Sequence, residues 1–464
     1  MTSAPAAGPG HVPAGAGHVP AGPGEVPAGP GHVPPGPGAG TFGPGSRPLS
    51  GRLAPPGDKS ISHRALLLAA RAEGTSVLRG LSRGLDVGAT LGAMVAFGAG
   101  VDGSPPGEVR VGGGLDRLHE AGQVVDVGNS GTAIRLLAGW AAPFDWLTVL
   151  AGDESVTGRP MDRVVQPLRA MGATVDGRGG GSYPPLTVRG GHLQGIDMAP
   201  AVASAQVKGA VLLAGLGAEG PTTVREAVPT RVHTEEMLAR FGAGVDVRPG
   251  AATVRPSSLA PVDFDVPGDP SQAAFWIVAA CLVPGSDLVV EGVYVGPGRA
   301  GFLDVLARMG ADVTVDNRDP ARSTADIRAR HGPLRATDVA GAEIPGLIDE
   351  IPVLAVAAAV AQGTTTFSGA AELRVKETDR IATMCSELVA LGADVSTRPD
   401  GLVVRGSGGL PLAGGRVRSH GDHRVAMAMA VAGLACSGPV AVQGWAAVAT
   451  SYPGFEEELR RCAS

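Results

Sequence analysis

A short phrase recurs five times along this chain and constrains its fold more than any other feature. Each copy closes an amphipathic helical stretch with an apolar residue, Gly, Ala, one variable residue and Val. The five glycines are Gly98, Gly172, Gly242, Gly310 and Gly392, so the spacings are 74, 70, 68 and 82 residues. Glycine after the last apolar residue is a common helix stop, and the alternation that follows predicts a strand. A period this long indicates repeated units that pack on one another.

A second, Ala-rich helix precedes each copy and leads into a β-rich run, as in residues 351–361 followed by residues 364–367. Few charges interrupt these helices, which predicts that they are buried. Each unit therefore reads β-α-β-α-β-β over about 70 residues, and six units fit between residue 58 and the end. The phrase Pro-Gly-Asp occurs at 56–58 and at 267–269, where we expect the chain to cross between two lobes and form a hinge.

These patterns predict an α/β chain with two lobes of three units each. Lobe two is residues 58–267, and lobe one is residues 48–57 plus 268–464. A length of 464 residues suits two domains. Residues 1–47 are dominated by Pro and Gly and are predicted to be a disordered tail, because such a composition buries too little apolar surface.

Composition excludes several functional classes. The net charge of −6 offers no overall attraction for nucleic acid or an anionic membrane. No run of 18 apolar residues predicts a membrane span, and the four scattered cysteines predict neither a disulfide framework nor a zinc site. The sequence also lacks a nucleotide-binding P-loop, a Rossmann glycine fingerprint and a His-Glu-x-x-His motif. We therefore expect a cytoplasmic protein, monomeric, without a metal or cofactor.

Only three of the 38 basic residues are lysine: Lys59, Lys208 and Lys376. Arginine offers a rigid planar fork, whereas lysine offers a compact ammonium whose pKa can be tuned. Lys59 and Lys376 lie in the two densest polar segments, residues 56–64 and 374–380. This distribution predicts that at least two of the lysines are functional.

Candidate anion-binding residues fall at the starts and ends of the repeated elements. Lys59, Ser60 and Arg64 surround a predicted helix start, with Ser60 or Ser62 as the cap, and helix N-termini bind anions well. The other such segments are residues 128–135, 152–161, 203–206, 230–234, 349–350, 374–380 and 420–424. The pseudo-symmetry predicts that they meet on facing surfaces of the lobes. The cleft would then be basic although the whole chain is acidic, which would concentrate a small anionic substrate.

Several of these segments together resemble the EPSP synthase (3-phosphoshikimate 1-carboxyvinyltransferase) family of enolpyruvyl transferases. They are PGDKSISHR at 56–64, GNSGTAIR at 128–135, SAQVK at 204–208, LRVKETDR at 373–380 and GDHR at 421–424. The resemblance covers residues 50–462 in order and spacing. It implies a two-lobe inside-out α/β barrel of six repeats. It also implies transfer of the enolpyruvyl group of phosphoenolpyruvate to the 5-hydroxyl of shikimate 3-phosphate, with release of phosphate.

The resemblance also implies roles for residues at matching positions. The residues expected to bind shikimate 3-phosphate are Lys59, Ser60, Arg64, Ser204, Ala205, Gln206, Arg231, Asp349 and Lys376. Those expected to bind phosphoenolpyruvate are Lys59, Gly131, Arg159, Gln206, Arg380 and Arg424. The two substrates carry roughly six negative charges at neutral pH, and the seven cations in these sets about balance them. Arginine suits bidentate capture of carboxylate and phosphate.

The reaction needs a base for the 5-hydroxyl and an acid for the methylene carbon. Asp349 is the expected base, Glu377 the expected acid, and Lys59 would stabilise charge on the leaving phosphate. The acid role conflicts with the adjacent Lys376, which should lower the pKa of Glu377.

The chain departs from the family pattern at three places. Thr450 stands where many members have a Lys that reaches phosphoenolpyruvate, Ala205 stands where some have a second Ser, and Glu372 replaces an Asn. These choices resemble the branch of the family that includes glyphosate-tolerant members. Gly131, however, is retained where tolerant members carry Ala, so we expect intermediate or full sensitivity to glyphosate.

Two alternatives stay open at this stage. The sister enzyme that transfers enolpyruvyl to a UDP-sugar needs a cysteine in a loop of the first half, but no cysteine precedes Cys281. A non-catalytic anion-binding scaffold would give no reason for Asp349 and Glu377 to accompany Lys376 and Arg380.

Overall fold

A computed structural model describes residues 38–45 and 47–462. Its apolar side chains form two separate cores. One core gathers Phe42, Leu49 and Leu53 with residues 273–459, and the other gathers residues 61–266 with Tyr294. We use lobe one for the body around the first core and lobe two for the body around the second.

The chain changes from one core to the other between Leu53 and Ile61 and again between Val266 and Ala273, and one Pro-Gly-Asp segment lies in each interval. Gly57 and Gly268 form an isolated antiparallel bridge. The buried guanidinium of Arg299 lies 3.0 Å from Asp58 and 2.8 Å from Asp269. Burial would lower the pKa of Arg299, but the surrounding carboxylates raise it above its ordinary value. One buried cation therefore joins both Pro-Gly-Asp segments.

The strands are short and distributed along the whole described chain. In order they are β1 (Ala39–Phe42), β2 (Ser50–Leu53), β3 (Gly74–Arg79), β4 (Gly100–Asp102), β5 (Glu108–Gly113), β6 (Val125–Asp126), β7 (Thr148–Ala151), β8 (Thr174–Gly177), β9 (Tyr183–Arg189), β10 (Leu193–Gln194), β11 (Asp197–Met198), β12 (Ala218–Glu219), β13 (Thr222–Arg225), β14 (Val245–Arg248), β15 (Ala251–Val254), β16 (Asp263–Asp265), β17 (Asp287–Tyr294), β18 (Asp312–Asp319), β19 (Thr324–Arg330), β20 (Asp338–Val339), β21 (Thr364–Phe367), β22 (Asp394–Arg398), β23 (Gly401–Arg405), β24 (Gly415–Arg418) and β25 (Val440–Gln443).

Helices alternate with these strands. They are α1 (Lys59–Arg71), α2 (Leu85–Ala96), α3 (Gly131–Ala141), α4 (Glu154–Thr157), α5 (Asp162–Ala170), α6 (Arg178–Gly181), α7 (Ala205–Gly215), α8 (His233–Arg240), α9 (Pro270–Leu282), α10 (Gly301–Arg308), α11 (Ile351–Val360), α12 (Arg380–Ala390), α13 (His423–Leu434) and α14 (Phe455–Cys462), with 3₁₀ turns at Gly341–Gly346, Ala371–Val375 and Trp445–Thr450. The Ala-rich helices α1, α7, α9, α11 and α13 are buried along nearly all their residues, as the sequence predicts.

Five four-stranded sheets share one strand pattern, in which a parallel pair continues into two antiparallel strands. Lobe two holds β16-β3-β5-β4, β6-β7-β9-β8 and β11-β13-β15-β14, and lobe one holds β2-β17-β19-β18 and β20-β21-β23-β22. The five repeated glycines all have positive φ, from 77° to 105°, and each follows a helix and precedes a strand. The helix stops and strands predicted from the repeated phrase are therefore confirmed.

A sixth sheet, β24-β25-β1, corrects the prediction for the N-terminal segment. Strand β1 lies within the predicted disordered tail, yet it pairs antiparallel with β25, beside the parallel pair of β24 and β25. Phe42 is buried, and its ring lies 4.5 Å from that of Trp445. Strand pairing with β25 and the apolar contacts of Phe42 thus join these residues to lobe one, although Pro and Gly surround them. Residues 1–37 and 46 of the predicted tail lie outside the described residues.

None of the helices in the described ranges has the length and apolar character that crossing a membrane requires. Within the same ranges, no group of three or more His, Cys, Asp or Glu side chains is placed to hold a metal ion.

Candidate active site

A cleft of about 350 Å³ lies between the lobes and collects the predicted site residues. Thirteen of them line it: Lys59, Ser60, Arg64, Gly131, Arg159, Ser204, Ala205, Gln206, Arg231, Asp349, Lys376, Glu377 and Arg424. Arg380 lies behind the wall, almost fully buried, and acts on the cleft through its neighbours. Segments that are far apart in the sequence thus line one cavity.

The cleft is basic in an acidic chain. Its lining includes eight cationic side chains: Lys59, Arg64, Arg135, Arg159, Arg163, Arg231, Lys376 and Arg424. It includes four carboxylates: Asp86, Asp349, Glu372 and Glu377. The lining thus carries an excess of positive charge, although the chain as a whole carries −6. Such a cavity attracts a small anion with several charges.

Lobe two presents helix N-termini to the cleft. Helix α1 begins at Lys59, α3 begins at Gly131, and α7 begins at Ala205. The unpaired amides and the dipole of a helix start favour anions. The cap of α1 is Asp58, whose carboxylate accepts from the Ile61 amide at 2.9 Å, so the predicted Ser60 or Ser62 cap is wrong. A carboxylate competes well with a hydroxyl for these amides, and here Asp58 also pairs with Arg299.

Lys59 has a partner that sequence reasoning missed. Its ammonium lies 2.9 Å from the carboxylate of Asp86, in the first turn of α2. Burial raises the pKa of Asp86 despite the attraction of Lys59, and the Oδ1 atom of Asp86 is buried without a hydrogen-bond partner. The sequence did offer one signal for this partner: Asp86 is an acidic residue near a helix start. The pair gives Lys59 a nearby acceptor for its protons.

Arg135 fixes the orientation of Gln206. Its guanidinium donates to the Gln206 side-chain oxygen at 2.8 Å and to the Gly131 carbonyl at 3.2 Å, while the Gln206 amide donates to Thr132 at 2.9 Å. Burial lowers the pKa of Arg135 to about 10. Arg135 was recognised in the sequence as part of a glycine-rich segment but not as a site residue.

Asp349 is the centre of the lobe-one wall. Its carboxylate lies 2.5 Å from Arg231, 3.2 Å from Arg380 and 3.5 Å from Lys376. Burial alone would raise its pKa, but Lys376, Arg424, Arg231 and Arg380 hold the pKa well below its ordinary value. Asp349 is therefore a carboxylate in this state and can accept a proton.

Glu377 has the opposite ionisation from the one its predicted role requires. Its carboxylate lies 2.5 Å from Arg380 and 3.5 Å from Arg159 of the other lobe. Although burial favours the neutral acid, Arg380 and Arg159 hold the pKa of Glu377 well below its ordinary value. Arg380 outweighs the adjacent Lys376 that the sequence pointed to. In this state Glu377 carries no proton to donate.

The lobes also touch across the mouth of the cleft. The guanidinium of Arg163 in lobe two donates two hydrogen bonds, of 2.6 and 3.0 Å, to the carboxylate of Glu372 in lobe one. Of the three departures from the family pattern, Glu372 and Ala205 line the cleft, whereas Thr450 does not. Its hydroxyl donates to the Ala447 carbonyl at 2.8 Å and lies 3.3 Å from His423.

Fold and site together define a class: a two-lobed α/β protein whose interlobe cleft is built for small, multiply charged anions. Residues 44–459 match the family model for EPSP synthase (3-phosphoshikimate 1-carboxyvinyltransferase). The chain belongs to the EPSP synthase family.

Relatives in sequence and structure agree with this membership. The chain is 53% identical over 421 residues to a 3-phosphoshikimate 1-carboxyvinyltransferase of Gloeobacter violaceus, covering 90% of this chain and 97% of that protein. It is 50% identical to the enzyme of the same name from Pelotomaculum thermopropionicum, with the same coverage. The structure of EPSP synthase from Acinetobacter baumannii matches with a TM-score of 0.80 at 41% identity, over 91% of this chain and 97% of that chain. The enolpyruvyl transferase NikO from Streptomyces tendae shares the fold, with a TM-score of 0.71 at 20% identity over 91% of this chain and 96% of that chain.

Proposed function

We propose that this chain transfers the enolpyruvyl group of phosphoenolpyruvate to the 5-hydroxyl of shikimate 3-phosphate and releases phosphate. The observation that carries the proposal is the charge of the cleft. Eight cations and four carboxylates line a cavity between two lobes, and each of the five segments that resemble the family contributes residues to the lining. Two substrates with roughly six negative charges between them suit this excess of positive charge.

We assign shikimate 3-phosphate to the lobe-two wall, with further contacts from Asp349 and Lys376 of lobe one. Its proposed contacts are Lys59, Ser60, Arg64, Ser204, Ala205, Gln206, Arg231, Asp349 and Lys376. Phosphoenolpyruvate is assigned to Lys59, Gly131, Arg159, Gln206, Arg380 and Arg424. Because Arg380 is buried behind Glu377 and Asp349, its proposed contribution is to fix those carboxylates and to add charge.

The chemistry divides into an addition and an elimination. In the addition, the 5-oxygen bonds to carbon 2 of phosphoenolpyruvate, Asp349 takes the hydroxyl proton, and the methylene carbon gains a proton. In the elimination, the methyl group returns a proton to the group that protonated it, and the bond from carbon 2 to the phosphate oxygen breaks with its electron pair leaving on phosphate. Lys59 stabilises the charge that develops on that oxygen.

The acid role of Glu377 depends on the substrates. The anionic groups of the substrates would partly neutralise the positive charges of Arg159 and Lys59. These are two of the cations that lower the pKa of Glu377. A weaker cationic field raises the pKa of a buried carboxyl. We assign the proton on the methylene carbon to Glu377 on this basis.

The finer description of the fold is also a proposal: six β-α-β-α-β-β repeats form a two-lobe inside-out barrel, with the lobes divided at 57/58 and 267/268. Support comes from five sheets with one strand pattern and from the sixth sheet, which β1 extends. The lobes would close on shikimate 3-phosphate and expel water before chemistry. The pairs Arg163–Glu372 and Arg231–Asp349 support closure, because each joins the lobes across the cleft. The monomeric state and the cytoplasmic location stay predictions.

A phosphate-release assay tests the function directly. The protein should release phosphate only when phosphoenolpyruvate and shikimate 3-phosphate are both present, with formation of the enolpyruvyl ether followed by mass spectrometry. Release with UDP-N-acetylglucosamine as the acceptor would instead favour the sister reaction. Binding of both anions without any turnover would favour the non-catalytic scaffold.

A further inference from the structure

Lys208 is a fully buried lysine that the reaction does not use directly. It lies on α7, and only 1% of its side chain is exposed. Its ammonium lies 2.7 Å from Glu226 and 2.7 Å from Glu235. It is not among the residues that line the cleft. Burying an ammonium with two carboxylates costs free energy unless the geometry is good. We therefore expect Lys208 to have a structural role.

The two glutamates lie at opposite ends of one loop. Glu226 directly follows β13, and Glu235 lies in the first turn of α8. Lys208 therefore joins the start and the end of residues 226–235. The Thr230 hydroxyl donates to the second oxygen of Glu226, which holds the middle of the loop to the same ion cluster.

This loop carries Arg231 into the cleft. The Arg231 guanidinium reaches Asp349 of lobe one at 2.5 Å, and Thr230 lines the cleft beside it. Thr234, in the first turn of α8 directly after the loop, accepts a hydrogen bond of 2.7 Å from Arg64. The loop thus sets the positions of two of the cations proposed to bind shikimate 3-phosphate.

The packing beneath the loop leaves little freedom. Gly209, next to Lys208, lets α7 approach so closely that a Cβ atom there would lie 2.9 Å from the Thr234 hydroxyl and 3.0 Å from the Arg64 guanidinium. A compact ammonium with three donors fits between two carboxylates in such a space, whereas a planar guanidinium is larger and directional. This explains a lysine at this position in a chain that otherwise uses arginine almost throughout.

We propose that Lys208 is a positioning residue for shikimate 3-phosphate: it clamps both ends of residues 226–235 and so holds Arg231 at the substrate. The proposal rests on the proposed function, since it assigns Arg231 to that substrate. Lys208 acts through the loop and does not touch substrate.

The test is Lys208→Met, which keeps the length of the side chain and removes its charge. We expect the Kd for shikimate 3-phosphate to rise by on the order of tenfold or more, because a small misplacement of a binding group is enough for this loss. The KM for phosphoenolpyruvate should change less than about threefold, since only Gln206 of its proposed contacts lies on α7 with Lys208 and the others lie on other elements. An unchanged Kd for shikimate 3-phosphate in the folded variant would overturn the proposal.

A double-mutant cycle separates positioning from a general loss of structure. If Lys208 acts through Arg231, then Lys208→Met should change the Kd less than about twofold when Arg231→Ala is already present. Equal losses in both backgrounds would overturn the route through Arg231. Val211→Ala, a fully buried change on the same helix, is the matched control: it should lower the melting temperature and leave the Kd unchanged.

Lys208→Met leaves two buried glutamates unpaired and can prevent folding. The triple variant Lys208→Met, Glu226→Gln, Glu235→Gln removes all three charges and keeps the volumes, and it should fold and show the same loss of affinity. Full affinity in the triple variant would overturn the proposal. Turnover by the unmodified chain is measured in parallel: its absence would overturn the proposed function, whereas turnover with an unchanged Kd in the variants would overturn the clamp alone.

Discussion

The two walls of the cleft handle charge in opposite ways. On the lobe-two wall, Arg64 and Arg135 donate to hydroxyl, amide and carbonyl oxygens, and burial lowers the pKa of each to about 10. On the lobe-one wall, carboxylates surround Arg380 and raise its pKa above its ordinary value, although burial opposes them. Within the described residues, Arg64 and Arg135 therefore form no ion pair with a carboxylate, whereas Arg380 pairs with three. The other lobe-two cations of the cleft do pair with carboxylates: Lys59, Arg159, Arg163 and Arg231.

This difference in ion pairing indicates that the two walls have different roles in binding and catalysis. A cation without a carboxylate gains most from an anionic substrate, so lobe two supplies affinity. A carboxylate surrounded by cations is fixed and ionised, so lobe one holds Asp349 and Glu377 at defined positions as proton acceptors. Arg231 connects the two, because lobe two carries it and Asp349 of lobe one receives it.

The largest expected effect comes from removing the centre of the lobe-one wall. Asp349→Asn keeps the shape but loses the proton acceptor, so kcat should fall by about 10²- to 10⁴-fold. Steady-state phosphate release measures it. Asp394→Asn, at an exposed carboxylate of β22, is the control and should retain full kcat. A fall in kcat of less than about tenfold would contradict the base role.

The next effect concerns stability rather than rate. Arg380→Met leaves Asp422 and Glu377 buried without their cation, which should lower the free energy of unfolding by about 3–5 kcal/mol. Urea unfolding measures the loss. Arg405→Met breaks only an exposed pair with Asp394 and should change stability little. Equal losses of unfolding free energy in both variants would show that the ion pairs of Arg380 stabilise the fold no more than an exposed ion pair does.

A smaller effect is expected on the lobe-two wall at Gly131. A Cβ atom there would overlap the Arg159 guanidinium, which Ser155 holds at 2.9 Å. Gly131→Ala should therefore raise the KM for phosphoenolpyruvate by about tenfold and weaken inhibition by glyphosate. Gly92→Ala, where the added methyl meets open space, should change neither. Strong glyphosate resistance of the unmodified chain would contradict the retained glycine as a sign of sensitivity.

The smallest effect is the pH dependence of stability. The folded-state pKa values of Asp349 and Glu377 lie below their ordinary values, so these groups stabilise the fold fully above about pH 5 and lose that contribution as the pH falls. Acid unfolding of Asp349→Asn should show a weaker dependence on pH in this range than the unmodified chain. An identical pH profile would mean that the cations around Asp349 do not lower its pKa.

Local patterns predicted the parts of the molecule that depend on local physics. The repeated Gly-Ala phrase located helix ends. The crossing between lobes at the Pro-Gly-Asp segments stays a prediction, although each segment lies between residues of different cores. The sequence did not predict the pairs Lys59–Asp86 and Arg299–Asp58. Their members lie 27 and 241 positions apart, so the pairs depend on how the elements pack. Strand β1 was not predicted for the same reason: its partner β25 lies at the other end of the chain.

The most direct test of the division between the walls is a crystal structure with shikimate 3-phosphate and glyphosate bound. The account predicts shikimate 3-phosphate on the lobe-two wall with Arg231 at the ligand, and its 5-hydroxyl about 2.6–3.2 Å from the Asp349 carboxylate. Glyphosate should lie against Arg159 and Arg424. A 5-hydroxyl that faces away from Asp349, or ligands held mainly by lobe one, would contradict it.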